Sequence, residues 1–181
     1  MAEFVYVDNS NVFIEGKRVS AVRKGYAMDI WEAIENKILD NSYRMDFGRL
    51  HDFIAGTDLS KIKRAMLFGS RPPPNDTLWK VAEKAGFEVI VEDRNVANRE
   101  KKIDTGIVTK MTKDAYTKAD PKTDTITLVA GDKDYVPTVE ELVSDGFHVE
   151  VAFWSHAAAE LKSACSKFID LDSFVEHLQL T

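Results

Sequence analysis

The chain has 181 residues, 44% of them hydrophobic, and a formal net charge of −6. That size suits one globular domain with a substantial core, and the acidic balance argues against a basic, sequence-independent nucleic-acid coat protein. No apolar run approaches the roughly 18–20 residues needed to span a bilayer.

In chain order, Phe4–Val7 is short, β-branched and aromatic, and reads as a strand ending at Asp8-Asn9-Ser10-Asn11. Residues 27–39 repeat apolar positions at helical spacing, and Phe47–Ile54 reads as a second helix stopped by Gly56. Lys61–Phe68 is a strand closed by Gly69-Ser70 and the proline run 72–74. Asn75 or Asp76 can cap a helix reaching Ala85, with Gly86 as its stop, and Phe87–Val91 is a third strand. A charged segment, residues 92–102, precedes a helix expected to open at Asp104 and run to about Tyr116. Thr125–Ala130 is a fourth strand, Gly131–Tyr135 a turn, and Pro137 suits the first turn of a helix ending before Gly146. His148–Phe153 is a fifth strand, followed by a helix over Ala157–Ser166, a short strand or extended tail over Phe168–Leu171, and a last short helix over Ser173–Leu178.

Such alternation calls for an α/β fold, a mainly parallel five-stranded sheet between two helical layers. There is no internal repeat, low-complexity tract or domain boundary, so residues 1–181 are expected to form one domain. The start of the chain lacks a basic segment followed by an apolar stretch, and a cytoplasmic location is the expectation. Cys165 is the only cysteine, which excludes an internal disulfide and a zinc site of cysteine spacing; its apolar stripe favours packing over nucleophilic chemistry.

The chemistry is suggested by carboxylates at strand ends. Doubly wound sheets bind ligands outside the carboxyl ends of strands, where strand order reverses, and the commonest such order puts the first strand beside the fourth. Asp8 follows the first strand and Asp132 the fourth, while Asp104 opens the helix after the third. Asp134 lies two residues beyond Asp132. Each aspartate alone is more often a turn former or helix cap, but together they converge on one crevice. Carboxylates forced together need a hard cation or bound protons to relieve their repulsion. Mg²⁺ or Mn²⁺ held there would polarise a phosphoryl oxygen and acidify water. Ser10 and Asn11 add neutral polar atoms beside Asp8, suited to a phosphate oxygen or to turn capping.

These segments resemble a known family. VYVDNSNVFIEG (5–16), KKIDTGIVTKM (101–111), LVAGDKDYVPTVEELVSDGFHVEV (128–151) and LKSACSKFIDL (161–171) are similar to NYN-domain proteins, the LabA-like branch of the PIN-like nuclease superfamily. The match spans nearly the whole chain and is weakest over about 25–60. It implies a three-layer PIN-like, Rossmann-like fold and a Mg²⁺- or Mn²⁺-dependent ribonuclease acting on RNA, with single strands the expected form. By that pattern Asp8, Asp104 and Asp132 match the acidic metal-binding positions, Asp134 a fourth, more variable one, and Asn11 a polar position beside the first acid. Water would attack the phosphodiester bond with the cation's help.

Basic residues fall on segments expected at the same sheet end: Arg71, Arg94, Arg99, Lys101 and Lys102 are candidate RNA-backbone contacts. Lys17-Arg18, Arg23-Lys24 and Lys61-Lys63-Arg64 read more simply as solvated faces. Trp154 is a candidate for base stacking but reads better as core, Tyr135 as packing, and His156 as a helix-start residue rather than an acid catalyst. Exposed strand edges and residues 94–102 offer a surface for self-association. The competing reading is a non-catalytic RNA- or protein-binding module. A phosphatase using Asp8 as nucleophile is disfavoured, because Ser10 stands where haloacid-dehalogenase-like enzymes have a second aspartate. No glycine-rich phosphate loop of either common type occurs.

Overall fold

The computed structural model describes the backbone of residues 1–71, 77–93 and 99–181, and the side chains of these residues except 71, 93 and 99–102. The first strand, β1 (Glu3–Asp8), shows how the layers arise. Successive strand side chains point to opposite faces, so Val5 and Val7 enter one core while Phe4 and Tyr6 enter the other. Both faces are covered, which is why the strand reads as a continuous apolar run rather than an alternating one.

The other strands are β2 (Ile62–Arg71), β3 (Glu88–Asp93), β4 (Thr125–Val129), β5 (His148–Phe153) and β6 (Lys167–Asp170). Their order in the sheet is β3-β2-β1-β4-β5-β6, and every neighbouring pair is parallel. The sheet therefore has six strands where five were expected. Chain 167–170 lies along the outer edge of β5, with Phe168 opposite Val151, and occupies backbone groups that would otherwise be exposed. The expected neighbourhood of the first and fourth strands is present, with Val7 opposite Val129.

Helices α1 (Asn9–Arg23), α3 (Phe47–Ala55) and α4 (Thr77–Lys84) pack on the Val5 face, contributing Val12, Val19, Leu50, Ile54 and Trp79. Helices α5 (Arg99–Lys118), α6 (Val136–Ser144) and α7 (Ala159–Ala164) pack on the Phe4 face with Ile107, Met111, Leu142 and Leu161. The short α2 (Ile30–Glu35) is all that forms of the helix expected over 27–39. Two further differences bear on the site. Helix α1 starts directly after β1, over a stretch to which the sequence reading assigned no helix, and α5 begins at Arg99, so Asp104 lies inside that helix and is not its cap. Gly86 ends α4 with φ 110, and a Cβ there would stand 2.9 Å from His51 Nε2, so only glycine suits both the backbone and the space.

The Phe4 face also buries a charge. Asp114 accepts hydrogen bonds from the Tyr6 hydroxyl (2.9 Å) and Arg64 Nε (2.8 Å), and pairs with Lys118 Nζ (2.7 Å). Burial pushes its carboxyl up, but these donors outweigh burial and hold it down at about 2. The stability they confer is thus present above the ordinary carboxylate pKa and is lost as pH falls toward about 2. Asp114→Asn is expected to cost about 3 kcal/mol at pH 7, because it leaves the Arg64 charge without its inner partner. A lowered urea midpoint with an unchanged slope is the readout.

Candidate active site at the carboxyl edge of the sheet

In a parallel sheet all strands end on one edge, and β1 and β4 deliver their following residues side by side. Asp8 closes β1 and caps α1, its Oδ1 accepting from the Asn11 N–H at 3.1 Å. Asn11 is thereby turned toward the β4 end, where its Oδ1 accepts from the Gly131 N–H at 3.1 Å. Gly131 has no room for a side chain, since a Cβ would lie 2.1 Å from the Phe153 ring. The next residue, Asp132, accepts from the Asp134 N–H at 3.0 Å and starts a single 3₁₀ turn, Lys133–Tyr135. That turn drops Tyr135 into the core, fully buried.

From beneath, the Tyr135 hydroxyl reaches two carboxylates, Asp104 Oδ1 at 2.8 Å and Asp8 Oδ2 at 3.3 Å. Asp8 and Asp104, 96 residues apart in the chain, are so placed that one hydroxyl touches both. They share a cleft of about 290 Å³ with Asp132, Ser10, Asn11, Ile14, Glu15, Arg18 and Ile103. Asp8 is buried, Asp104 half-buried and Asp132 exposed. The cleft is thus anionic along its floor and open to solvent at the Asp132 side.

The electrostatics follow. Burial first, then the charges of Asp104 and Asp132, push the Asp8 carboxyl up to about 6, against the Asn11 N–H and the Tyr135 hydroxyl, which pull it down. The Tyr135 hydroxyl is driven far above its ordinary value by burial and by the two carboxylates, so it remains a neutral donor. Among the described residues, no three His, Cys, Asp or Glu side chains are arranged as a ligand set for a metal ion. What the cleft offers is two adjoining inner carboxylates and a third on its wall. Mg²⁺ is often held by one or two protein carboxylates with water and substrate oxygens completing its shell, and the raised Asp8 pKa marks the negative charge there as incompletely compensated.

A family model of the NYN domain matches residues 4–172. The chain belongs to the NYN-domain family. This is a PIN-like nuclease family. Among solved structures, the NYN chain is similar to the crystal structure of VPA0982 from Vibrio parahaemolyticus, described as a protein of unknown function. The two are 18% identical with a TM-score of 0.68, covering 99% of this chain and 96% of that one. That likeness shows a common fold. No curated relative matches the chain.

Within this NYN domain, the residues singled out from sequence divide into groups. Asp8, Asp104, Asp132, Ser10 and Asn11 line one cleft. Asp134 is exposed on the 3₁₀ turn and is not among the residues lining it. Arg71 ends β2 and Lys101 and Lys102 lie in the first turn of α5, while their side chains, like Arg94 and that of Arg99, fall outside the described residues. Trp154 is fully buried and donates its indole N–H to the Val12 carbonyl at 2.8 Å, so it is core and offers no face for a base. Cys165 is partly buried, and burial raises its thiol pKa, which suits packing. No helix among the described residues is long and apolar enough to cross a membrane.

Three residues were missed. Tyr135 was expected to be packing alone. Arg18 was read as part of a solvated face and Glu15 was given no role, yet both line the cleft as an ion pair, and Glu15 Oε2 also meets His156 Nε2 at 2.7 Å. The only sequence signal was their spacing from Asn11 and Ile14, which puts them on one face of a helix once α1 is recognised.

Proposed function

We propose that this protein is a divalent-cation-dependent ribonuclease, hydrolysing phosphodiester bonds in single-stranded RNA, and that within its family it belongs to the LabA-like branch its motifs resemble. The observation that carries this reading is the pair Asp8 and Asp104 gathered on one buried hydroxyl, with Asp132 on the wall of the same cleft. Asp8 and Asp104 would hold Mg²⁺ or Mn²⁺, with Asp132 nearest the open side. The bound cation supplies Lewis-acid polarisation of the phosphoryl oxygen and charge neutralisation at the leaving oxygen.

The chain's own residues supply the rest. Asn11, locked to Gly131, fixes the spacing between the β1 and β4 ends. Tyr135 holds the two inner carboxylates in register and stays neutral while doing so. Ser10 adds a hydroxyl-bearing residue to the lining of the cleft, and Ile14 and Ile103 add apolar ones. Backbone groups of the RNA would run over the edge formed by β2 and the start of α5, where Arg71, Lys101 and Lys102 stand in the chain.

The test uses a fluorescent single-stranded RNA with Mn²⁺, Mg²⁺ or a chelator. Wild-type protein is expected to cleave only with a cation, Asp104→Asn to lose at least about a hundredfold, and Asp134→Asn, outside the cleft, to lose less than about tenfold. Equal degradation by wild type and Asp104→Asn, or RNA bound and never cut, would overturn the proposal. The second outcome would favour a binding module.

A further inference from the structure

The acidic cleft has one cationic residue among its described lining groups, Arg18. An Arg–Glu pair three residues apart on a helix is ordinarily a surface contact of small consequence. Here the pair is not on the surface: the Arg18 side chain is 20% exposed and that of Glu15 15%. Glu15 is held a second time by His156, from the segment after β5, and since a carboxylate only accepts, His156 Nε2 carries the hydrogen. The His156 ring is itself buried. Glu15 is therefore fixed from two sides, and the guanidinium it orients has no other hydrogen-bond or ion-pair partner among the described residues; its Nε is buried without any there. Arginine presents five donors in a rigid fork matched to phosphate, so a fork with one arm occupied is a half-filled anion site beside a carboxylate floor.

Its position says which phosphate. Arg18 lies about 15 Å beyond Asp8 along the α1 axis at 1.5 Å per residue. Helical side chains lean back toward the N-terminus, so the guanidinium enters the cleft from its far end and stays short of the carboxylates. The geometry points to Arg18 as the grip on a phosphate flanking the scissile one, with Glu15 and His156 as its positioning residues. The ligand class is a polynucleotide, because a nucleoside monophosphate or a small phosphodiester has no second phosphate along a chain to offer, and the proposed function makes that polynucleotide single-stranded. This rests on the ribonuclease reading for the scissile phosphate and for the single-stranded form of the ligand; the contact itself is a binding contact.

The experiment separates the two. Binding of a fluorescein-labelled, 2′-O-methylated single strand is followed by anisotropy in chelator across a salt series, and hydrolysis of RNA and of bis(p-nitrophenyl) phosphate is followed with Mn²⁺. Arg18→Gln is expected to weaken strand binding five- to tenfold and to reduce the slope of log affinity against log salt by about 0.7, the value for one lost single-strand phosphate contact. Its loss on RNA should exceed its loss on the small ester at least fivefold, mainly in KM. Arg18→Lys, which keeps the charge and loses the fork, should restore the slope but not all of the affinity. Glu15→Gln should weaken binding less than Arg18→Gln. Near-ultraviolet circular dichroism of Arg18→Lys checks the fold if Arg18→Gln is unstable. An unchanged salt slope in a folded variant, or equal losses on both substrates, overturns the inference and leaves the ribonuclease reading standing. A slope that falls as expected in a protein that cuts neither substrate keeps the inference and removes that reading. A wild-type protein that binds no strand overturns it outright.

Discussion

Asp8→Asn is expected to abolish cation-dependent RNA cleavage, by on the order of a thousandfold, and at the same time to stabilise the cation-free protein near neutral pH. The two effects have one cause. The Asp8 carboxyl is buried beside Asp104 and Asp132, and its pKa stands at about 6 instead of 3.8. A folded-state pKa above the unfolded one means that the fold prefers the protonated form. The stability tied to that preference is complete below the ordinary carboxylate pKa and is lost as pH rises through about 6. At pH 7 the loss is roughly 2–3 kcal/mol, taken from 1.36 kcal/mol per pK unit. Asparagine removes the charge and keeps the cap, since its carboxamide oxygen accepts from the Asn11 N–H as well as a carboxylate does. In chelator, wild-type melting temperature should therefore fall between pH 5 and pH 7.5 while that of Asp8→Asn changes less. Added Mn²⁺ should raise the wild type more than Asp8→Asn, because the variant keeps Asp104 and Asp132 but lacks the innermost carboxylate. A variant less stable than wild type at every pH would show instead that the carboxylate is needed for folding.

Much of the fold was legible because burial on both faces leaves a plain mark. β1, β4 and β5 are short apolar runs, and their alternation with helices fixed a parallel sheet whose β1 and β4 are neighbours. Helix α1 left no such mark. Its buried positions include Asn9, Gly16 and Ser20 beside Val12, Val19 and Ala21, so the face that packs is small and polar as often as apolar. Gly16 shows why: a Cβ there would meet the Trp154 ring at 2.8 Å. Close packing through small side chains carries no apolar periodicity, and the residues after Asp8 read as a turn. β6 was obscure for another reason, since its four residues are only half-buried or exposed at the sheet edge.

The site divides in the same way. Carboxylates at strand ends are predictable neighbours, because parallel strands finish on one edge whatever the detailed packing. Asp104 reached the right end of the sheet by a wrong route: the charged start of α5 concealed a helix already running through it. Glu15, Arg18 and His156 depend on the rotation of α1 against the end of β5, a matter of tertiary packing that no spacing within either segment announces. Tyr135 depends on the same kind of information, a hydroxyl meeting a partner 127 residues away.

That hydroxyl supports the second large expected effect, in Tyr135→Phe. The ring is fully buried and the change keeps it, so core packing is preserved. What is lost is the single neutral donor common to Asp8 and Asp104. Asp104 forfeits its 2.8 Å bond, and the Asp8 carboxyl, which the hydroxyl helps to pull down, moves further above about 6. Both changes make the ionised pair harder to form in the fold. Removing a group that orients metal-holding side chains typically weakens cation affinity 10–100-fold, and that range is expected here for Mn²⁺ by calorimetry at pH 7. The acid limb of the pH–rate profile should move upward, because the carboxylates must ionise before they can hold the cation. Saturating Mn²⁺ at higher pH should then return much of the activity to Tyr135→Phe and far less to Asp8→Asn, since the first variant retains all the proposed ligands and the second lacks one of them. Unchanged Mn²⁺ affinity in Tyr135→Phe would mean that the carboxylates serve the tyrosine, satisfying a buried hydroxyl, and that the cation is held by other groups of the cleft.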